Sequence, residues 1–268
     1  MDRPTLSDAA VAVLQAGDAG RKVTLTEQAA ADWHDGRLTV VGDAVPPDRP
    51  ARPARPPLRP PREMPKRGKG ATMAGRVALL HAVAHIELNA IDLAWDLIAR
   101  FGHVGWPKAF YDDWVGIAAE EAKHFALLSD RLASLGAAYG DLPAHDGLWL
   151  AAADTAHCPV ARLSVVPMVL EARGLDVTPN MIARMRAFGD RESAGVLSVI
   201  YRDEIGHVAT GRHWFEYICR RRGLAPMDTW RSLVRRHVPG AVKPPFNDAA
   251  REAAGMGAAF YKHMAGEA

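Results

Sequence analysis

From residue 70 onward, apolar residues recur at steps of three and four, the spacing that places them on one face of a helix. The first such stripe, Met73, Val77, Leu80, Ala84, Glu87, Ile91, Ala94 and Ile98, predicts a helix over 73–101. Trp114, Ile117, Glu121, His124 and Leu128 predict a second over 110–135, ended by Gly136. A third is predicted over 147–173, with Ser164, Met168 and Glu171 on one face and kinks at Pro159 and Pro167. Thr178 and Pro179 read as the N-cap and first-turn proline of a short connecting helix to 188. Leu197, Ile200, Glu204, His207, Gly211, Trp214 and Ile218 predict a fourth long helix over 190–222. Shorter helices follow over 227–237 and 247–263. The pattern predicts an all-α chain: an antiparallel four-helix bundle over 70–223 and a helical extension over 224–268.

The region before residue 70 reads differently. Residues 1–44 predict a small N-terminal piece, with a helix over 7–15 capped by Ser7, another over 26–34, and a lone strand at 37–41. Residues 45–69 hold nine of the 19 prolines and cannot be helix. The same segment carries Arg49, Arg52, Arg55, Arg59, Arg62, Lys66, Arg67 and Lys69 against Asp48 and Glu63, a net +6 within a chain of +2. A basic arm for RNA is one reading of this strap. A tether along the surface is preferred, because no aromatic residue interrupts the arginines to offer a stacking platform.

Composition narrows the class. With 49% hydrophobic and 24% charged residues, 268 residues can bury a core, which excludes disorder over the whole length. No uninterrupted apolar run reaches the ~18 residues of a membrane span. Two cysteines form neither a disulfide framework nor a zinc site, and a cytoplasmic location with no membrane partner is expected.

The chemistry lies in the apolar stripes themselves. Glu121 with His124, and Glu204 with His207, are Glu-x-x-His pairs, whose side chains project together from one helical turn. Chance predicts roughly 0.5 such pairs in this composition. Glu87 precedes the first pair by 34 residues and Glu171 precedes the second by 33, so the chain presents Glu, then Glu-x-x-His, twice. Six buried polar groups without a cation would be costly, which disfavours a metal-free network.

This order resembles the ferritin-like di-iron carboxylate proteins. The resemblance implies a ferritin-like bundle in which Glu87, Glu121, His124, Glu171, Glu204 and His207 hold two iron ions, with manganese or a mixed pair as alternatives. The strings "EEAKH" (120–124) and "DEIGH" (203–207) also resemble the motifs of soluble di-iron desaturases and hydroxylases. There the residue before the motif glutamate supports a ligand histidine from behind, the place held here by Glu120 and Asp203. The stretches "HAVAHIELNAID", "EEAKHFALL", "VLEARGLDVTP" and "YRDEIGHV" are similar to a bacterial family of uncharacterised ferritin-like proteins. The MiaE-type tRNA hydroxylases are more distantly similar.

Such a site implies an oxygen-activating oxidoreductase, with dioxygen and an external electron donor as partners and an unidentified organic substrate, modified tRNA being one class. The alternatives are an iron-binding or ferroxidase-type protein without organic substrate, and a non-catalytic helical interaction protein. Ala84, Gly206 and Gly211 would give an organic molecule room. Tyr201, one turn before Glu204, reads as a hydrogen-bonding or redox-active neighbour of the site, or as an ordinary core tyrosine. His81, His85 and Asp92 share another face of the first helix, and Asp154 with His157 reads as a surface pair.

Overall fold

A computed structural model describes residues 4–65 and 72–265. The chain is an all-α helical bundle protein, and no strand is formed among the described residues. It divides into two compact units, Met1–Trp149 and Leu150–Ala268.

The first unit opens with α1 (Leu6–Leu14) and α2 (Ala19–His34). Thr5, not Ser7, caps α1: its hydroxyl accepts from the Asp8 amide while the Asp8 carboxylate accepts from the Thr5 amide. Ser7 is buried inside the first turn, where its hydroxyl accepts from the Ala44 amide. Asp18 caps α2, which begins a full two turns before the predicted 26–34. The predicted strand at 37–41 is instead an extended segment, held by Leu6 and Ser7 amides donating to the Val40 and Val41 carbonyls at 2.9 and 2.7 Å.

Two long helices, α3 (Met73–Arg100) and α4 (Lys108–Ser134), lie close to their predicted bounds. They pack against each other along their length, with α1 on α3 and α2 on α4. Among the described residues, only α3 is long and apolar enough to cross a membrane, but 72% of its most apolar window is buried in the protein. Its polar residues are buried with it. Asp92 sits between Lys22 of α2 (2.5 Å) and Arg52 of the strap (3.1 Å).

Strap residues are bonded to this unit at several points. The Ala51 amide donates to the Leu14 carbonyl, Arg59 and Ala144 pair through the main chain, and Arg100 donates to the Pro47 carbonyl. Arg49 pairs with Asp146. Lys66, Arg67 and Lys69 lie outside the described residues.

In the second unit the predicted third helix is broken. α5 (Gly147–Asp154) spans the boundary and ends in a turn; α6 (Pro159–Val165) restarts with Pro159 in its first turn, where a missing amide costs nothing. A π-helical segment, Val166–Glu171, follows and contains Pro167. α7 (Ala172–Ala187) then runs straight through Gly174 and Pro179, so the predicted break and new N-cap at Thr178 are absent. Pro179 cannot donate to the Leu175 carbonyl four residues back. The side-chain amide of Asn247, 72 positions away, donates to that carbonyl instead at 3.1 Å.

α8 (Arg191–Arg221) starts at an Asp190 cap, as the pattern implied. α9 (Pro226–His237) also matches, and its Trp230 is fully buried, donating to the Ser164 carbonyl. The last predicted helix is split into α10 (Asp248–Ala253) and α11 (Ala258–Tyr261), because Gly255 between them is left-handed (φ 72°). Arg251 anchors this end. It is buried, paired with Asp176 at 2.7 Å and faced by the rings of Tyr261 and Phe246.

Candidate metal centre

In the first unit the interior stripes of α3 and α4 bring Glu87, Glu121 and His124 together. Glu121 and His124 are 0% exposed and Glu87 is 3% exposed. Each offers one ligand atom, and these atoms lie within 4.8 Å of one another. His124 Nδ1 is 3.2 Å from Glu87 Oε2 and 3.4 Å from Glu121 Oε2.

The electrostatics follow from that geometry. Burial works against a charged His124, but hydrogen bonds and charge from Glu121 and Glu87 outweigh it and push the imidazole up to about 10. At neutral pH the protonated ring is therefore favoured, with Nδ1 facing both carboxylates. A divalent cation is the other species that this arrangement of donors accepts.

In the second unit Glu204 and His207 share a turn of α8, with His207 Nδ1 3.7 Å from Glu204 Oε1. His207 is 1% exposed, and the Glu204 side chain 12%. Glu171 is half-buried at the end of the π-helical segment, which packs against α8. π-Turns of this kind interrupt helices mostly at functional positions. The wider turn re-aims Glu171 relative to a continuous α-helix, which the 3.6-residue pattern could not express.

The other sequence-predicted positions have separate roles. Glu120 and Asp203 are half-buried beside their motif glutamates. The Tyr201 hydroxyl accepts a hydrogen bond from Asn247 at 2.8 Å. Gly211 is not a space for substrate: a Cβ there would collide with the Pro167 ring, so this glycine lets α8 approach the π segment. Gly206 is exposed, and Ala84 is packed in the core. His85 is bonded within its own unit, by Tyr139 Oη at 2.9 Å and the His145 carbonyl at 3.0 Å. Asp154 pairs with His237, and Trp114 and Trp214 fill the core.

Asn247 is the residue that sequence reasoning missed. It caps α10, serves the Leu175 carbonyl and holds Tyr201, yet in the sequence it is only one polar residue after a Pro-Pro turn.

These features define a class: a helical protein with paired Glu and Glu-x-x-His sets on interior helix faces. The chain belongs to the family described as Protein of unknown function (DUF455), which it matches over residues 15–262. It is 43% identical to an uncharacterised protein of Haemophilus influenzae over 201 residues, covering 73% of this chain and 69% of that protein. No solved structure matches the chain.

Proposed function

We propose that the protein is a two-metal oxidoreductase in which Glu87, Glu121 and His124 hold one iron ion and Glu171, Glu204 and His207 hold the second. Manganese in one or both positions is chemically equivalent for these donors, since carboxylate oxygens with a single imidazole suit either ion. The observation that carries the reading is the buried Glu87–Glu121–His124 cluster, whose ligand atoms lie within 4.8 Å of one another.

Bound as a pair, such ions would supply the electrons for dioxygen activation and the oxidation of a C–H bond. The chain's own residues do the rest. His124 gives up its Nδ1 proton when a cation enters, and the Glu87 and Glu121 carboxylates neutralise the incoming charge. Lys22 and Arg52 both pair with Asp92 and tie α3 to α2 and the strap. Complete burial of Glu121 and His124 keeps bulk water from competing for the cation. Reducing equivalents come from an external donor, and the substrate is an organic molecule, modified tRNA being one class to test.

The test is oxygen exposure of anaerobically purified, ferrous-loaded protein under optical spectroscopy. The reading predicts a transient absorption change dependent on Glu121 and Glu204 and accelerated by a bound organic substrate. Oxidation of iron that proceeds to mineral, with no dependence on any organic molecule, would instead mark an iron-handling protein.

A further inference from the structure

The second unit holds a group of metal-binding side chains that lies outside the repeated glutamate and histidine sets. α5 ends at Asp154 and α9 ends at His237. Where the two ends meet, His237 Nδ1 donates to Asp154 Oδ2 at 2.5 Å. The His157 ring lies beside the His237 ring, with centroids 6.0 Å apart and planes inclined by 43°. Asp154 and His157, three residues apart, therefore reach the same imidazole from one turn of chain.

That turn is held from beneath. Arg162 of α6 is buried, and it donates to the Thr155 hydroxyl and to the Ala152 carbonyl. The Thr155 hydroxyl donates in turn to the carbonyls of Ala151 and Ala152, and the Cys158 amide closes the turn on the Thr155 carbonyl. A backbone braced in this way positions ligands without help from the ion. The His237 side chain is 6% exposed and so is fixed by packing. Asp154 and His157 are exposed and free to adjust. Two imidazoles on one tetrahedral ion, each nitrogen ~2.0–2.1 Å from the metal, place their ring centroids ~5 Å apart. The observed 6.0 Å exceeds this by only about 1 Å, a difference that turning the exposed His157 ring takes up.

Donor type selects the ion. Two imidazoles and one carboxylate suit zinc or a neighbouring transition ion, whereas magnesium and calcium take oxygen ligands. Bare charge selects little: the C-terminal ends of α5 and α9 favour a cation, but Arg235 and Arg236 in the last turn of α9 oppose it. We propose that Asp154, His157 and His237 bind one zinc ion, which replaces the hydrogen between His237 Nδ1 and Asp154. That hydrogen leaves to solvent as a proton, and the ion ties the end of α9 to the turn between α5 and α6. The proposal uses none of the six ligands of the two-metal reading, and either can fail without the other.

The test uses full-length protein freed of metal, with histidine rings labelled in ¹⁵N, titrated with zinc chloride and separately with magnesium chloride. Zinc should shift the ring nitrogens of His157 and His237 together, and magnesium should shift neither. In equilibrium dialysis the wild type should take up one more zinc per chain than His157→Ala, a variant that leaves the fold intact because the side chain is exposed. Any zinc held by the glutamate and histidine sets is common to both proteins and drops out of the difference. Asp154→Ala should weaken zinc binding at this site by about tenfold or more. Equal zinc uptake by wild type and His157→Ala, or undiminished affinity in Asp154→Ala, would overturn the site. So would shifts at His34 and His103, which are exposed elsewhere, as large as those at His157, since they would mark adventitious binding to surface histidines.

Discussion

The two halves of the repeated motif sit in different surroundings. In the first unit Glu87, Glu121 and His124 stand on two uninterrupted helices, fully enclosed, with the histidine shared between two carboxylates. In the second, Glu204 and His207 are 3.7 Å apart on a regular helix, while Glu171 follows a π-helical segment that contains a proline. Glu171 is half-buried and the Glu204 side chain is 12% exposed. One half is a rigid, sealed ligand set. The other is built partly on altered backbone geometry, and its glutamates are less completely covered. Under the two-metal reading proposed above, a carboxylate that shifts as the metals change oxidation state belongs on the second kind of scaffold.

The largest expected effect separates the halves by what is stranded when a ligand is lost. His124→Ala removes the cation between two sealed carboxylates and should destabilise the metal-free protein by about 3–5 kcal/mol. Glu204→Ala should cost less, because that side chain is not fully enclosed. Urea titration of both metal-free variants checks this, and equal losses would erase the distinction.

Next is the backbone. Gly211→Ala drives a methyl into Pro167 and should cost about 1–3 kcal/mol. Gly116→Ala, at an exposed position of α4 with open space around it, should instead stabilise by about 0.5–1 kcal/mol. Thermal melts of the two variants give opposite signs if the π segment is packed against α8 as described. Asn247→Ala leaves the Leu175 carbonyl unserved and uncaps α10, a loss of about 1–2 kcal/mol.

The smallest step is in pH. His124 holds its proton until pH about 10 in the metal-free protein, so cation entry must expel it. Metal affinity at the first half should therefore rise with pH, about tenfold per unit below that value, and level off above it. Competition titrations between pH 6 and 8 measure the slope, and a flat profile would show that no proton is displaced.

How far the sequence revealed this depends on the range of the forces involved. α3, α4, α8 and α9 were legible because an apolar stripe, a cap and a terminator all lie within each segment. Glu87, Glu121 and His124 were legible because helical spacing alone puts them on interior faces. The region around α5 to α7 was not, since its course depends on partners far along the chain. Pro179 is a helix breaker by local rules, and the carbonyl that it leaves unserved inside α7 is met by Asn247. Gly211 looked like room for a substrate until Pro167 was found against it. Ser7 had the right chemistry for a cap, but Thr5 has that chemistry together with an aspartate three residues on. In the strap, no α-helix forms among the described residues, although Pro61–Glu63 make a 3₁₀ turn, while the use of Arg52 against Asp92 was invisible because the two meet across 40 positions.

The central claim is that each half of the repeat holds a metal ion, and counting metal tests it most directly. Protein loaded anaerobically with ferrous iron, freed of loosely held ion and measured by mass spectrometry should retain two irons per chain. Glu121→Ala and Glu204→Ala should each lose iron sharply, and Glu120→Ala less so, within the ~10–100-fold affinity loss typical of a supporting residue. A wild-type chain that retains no metal, or a Glu121→Ala, Glu204→Ala double variant that retains as much as the wild type, would contradict the account.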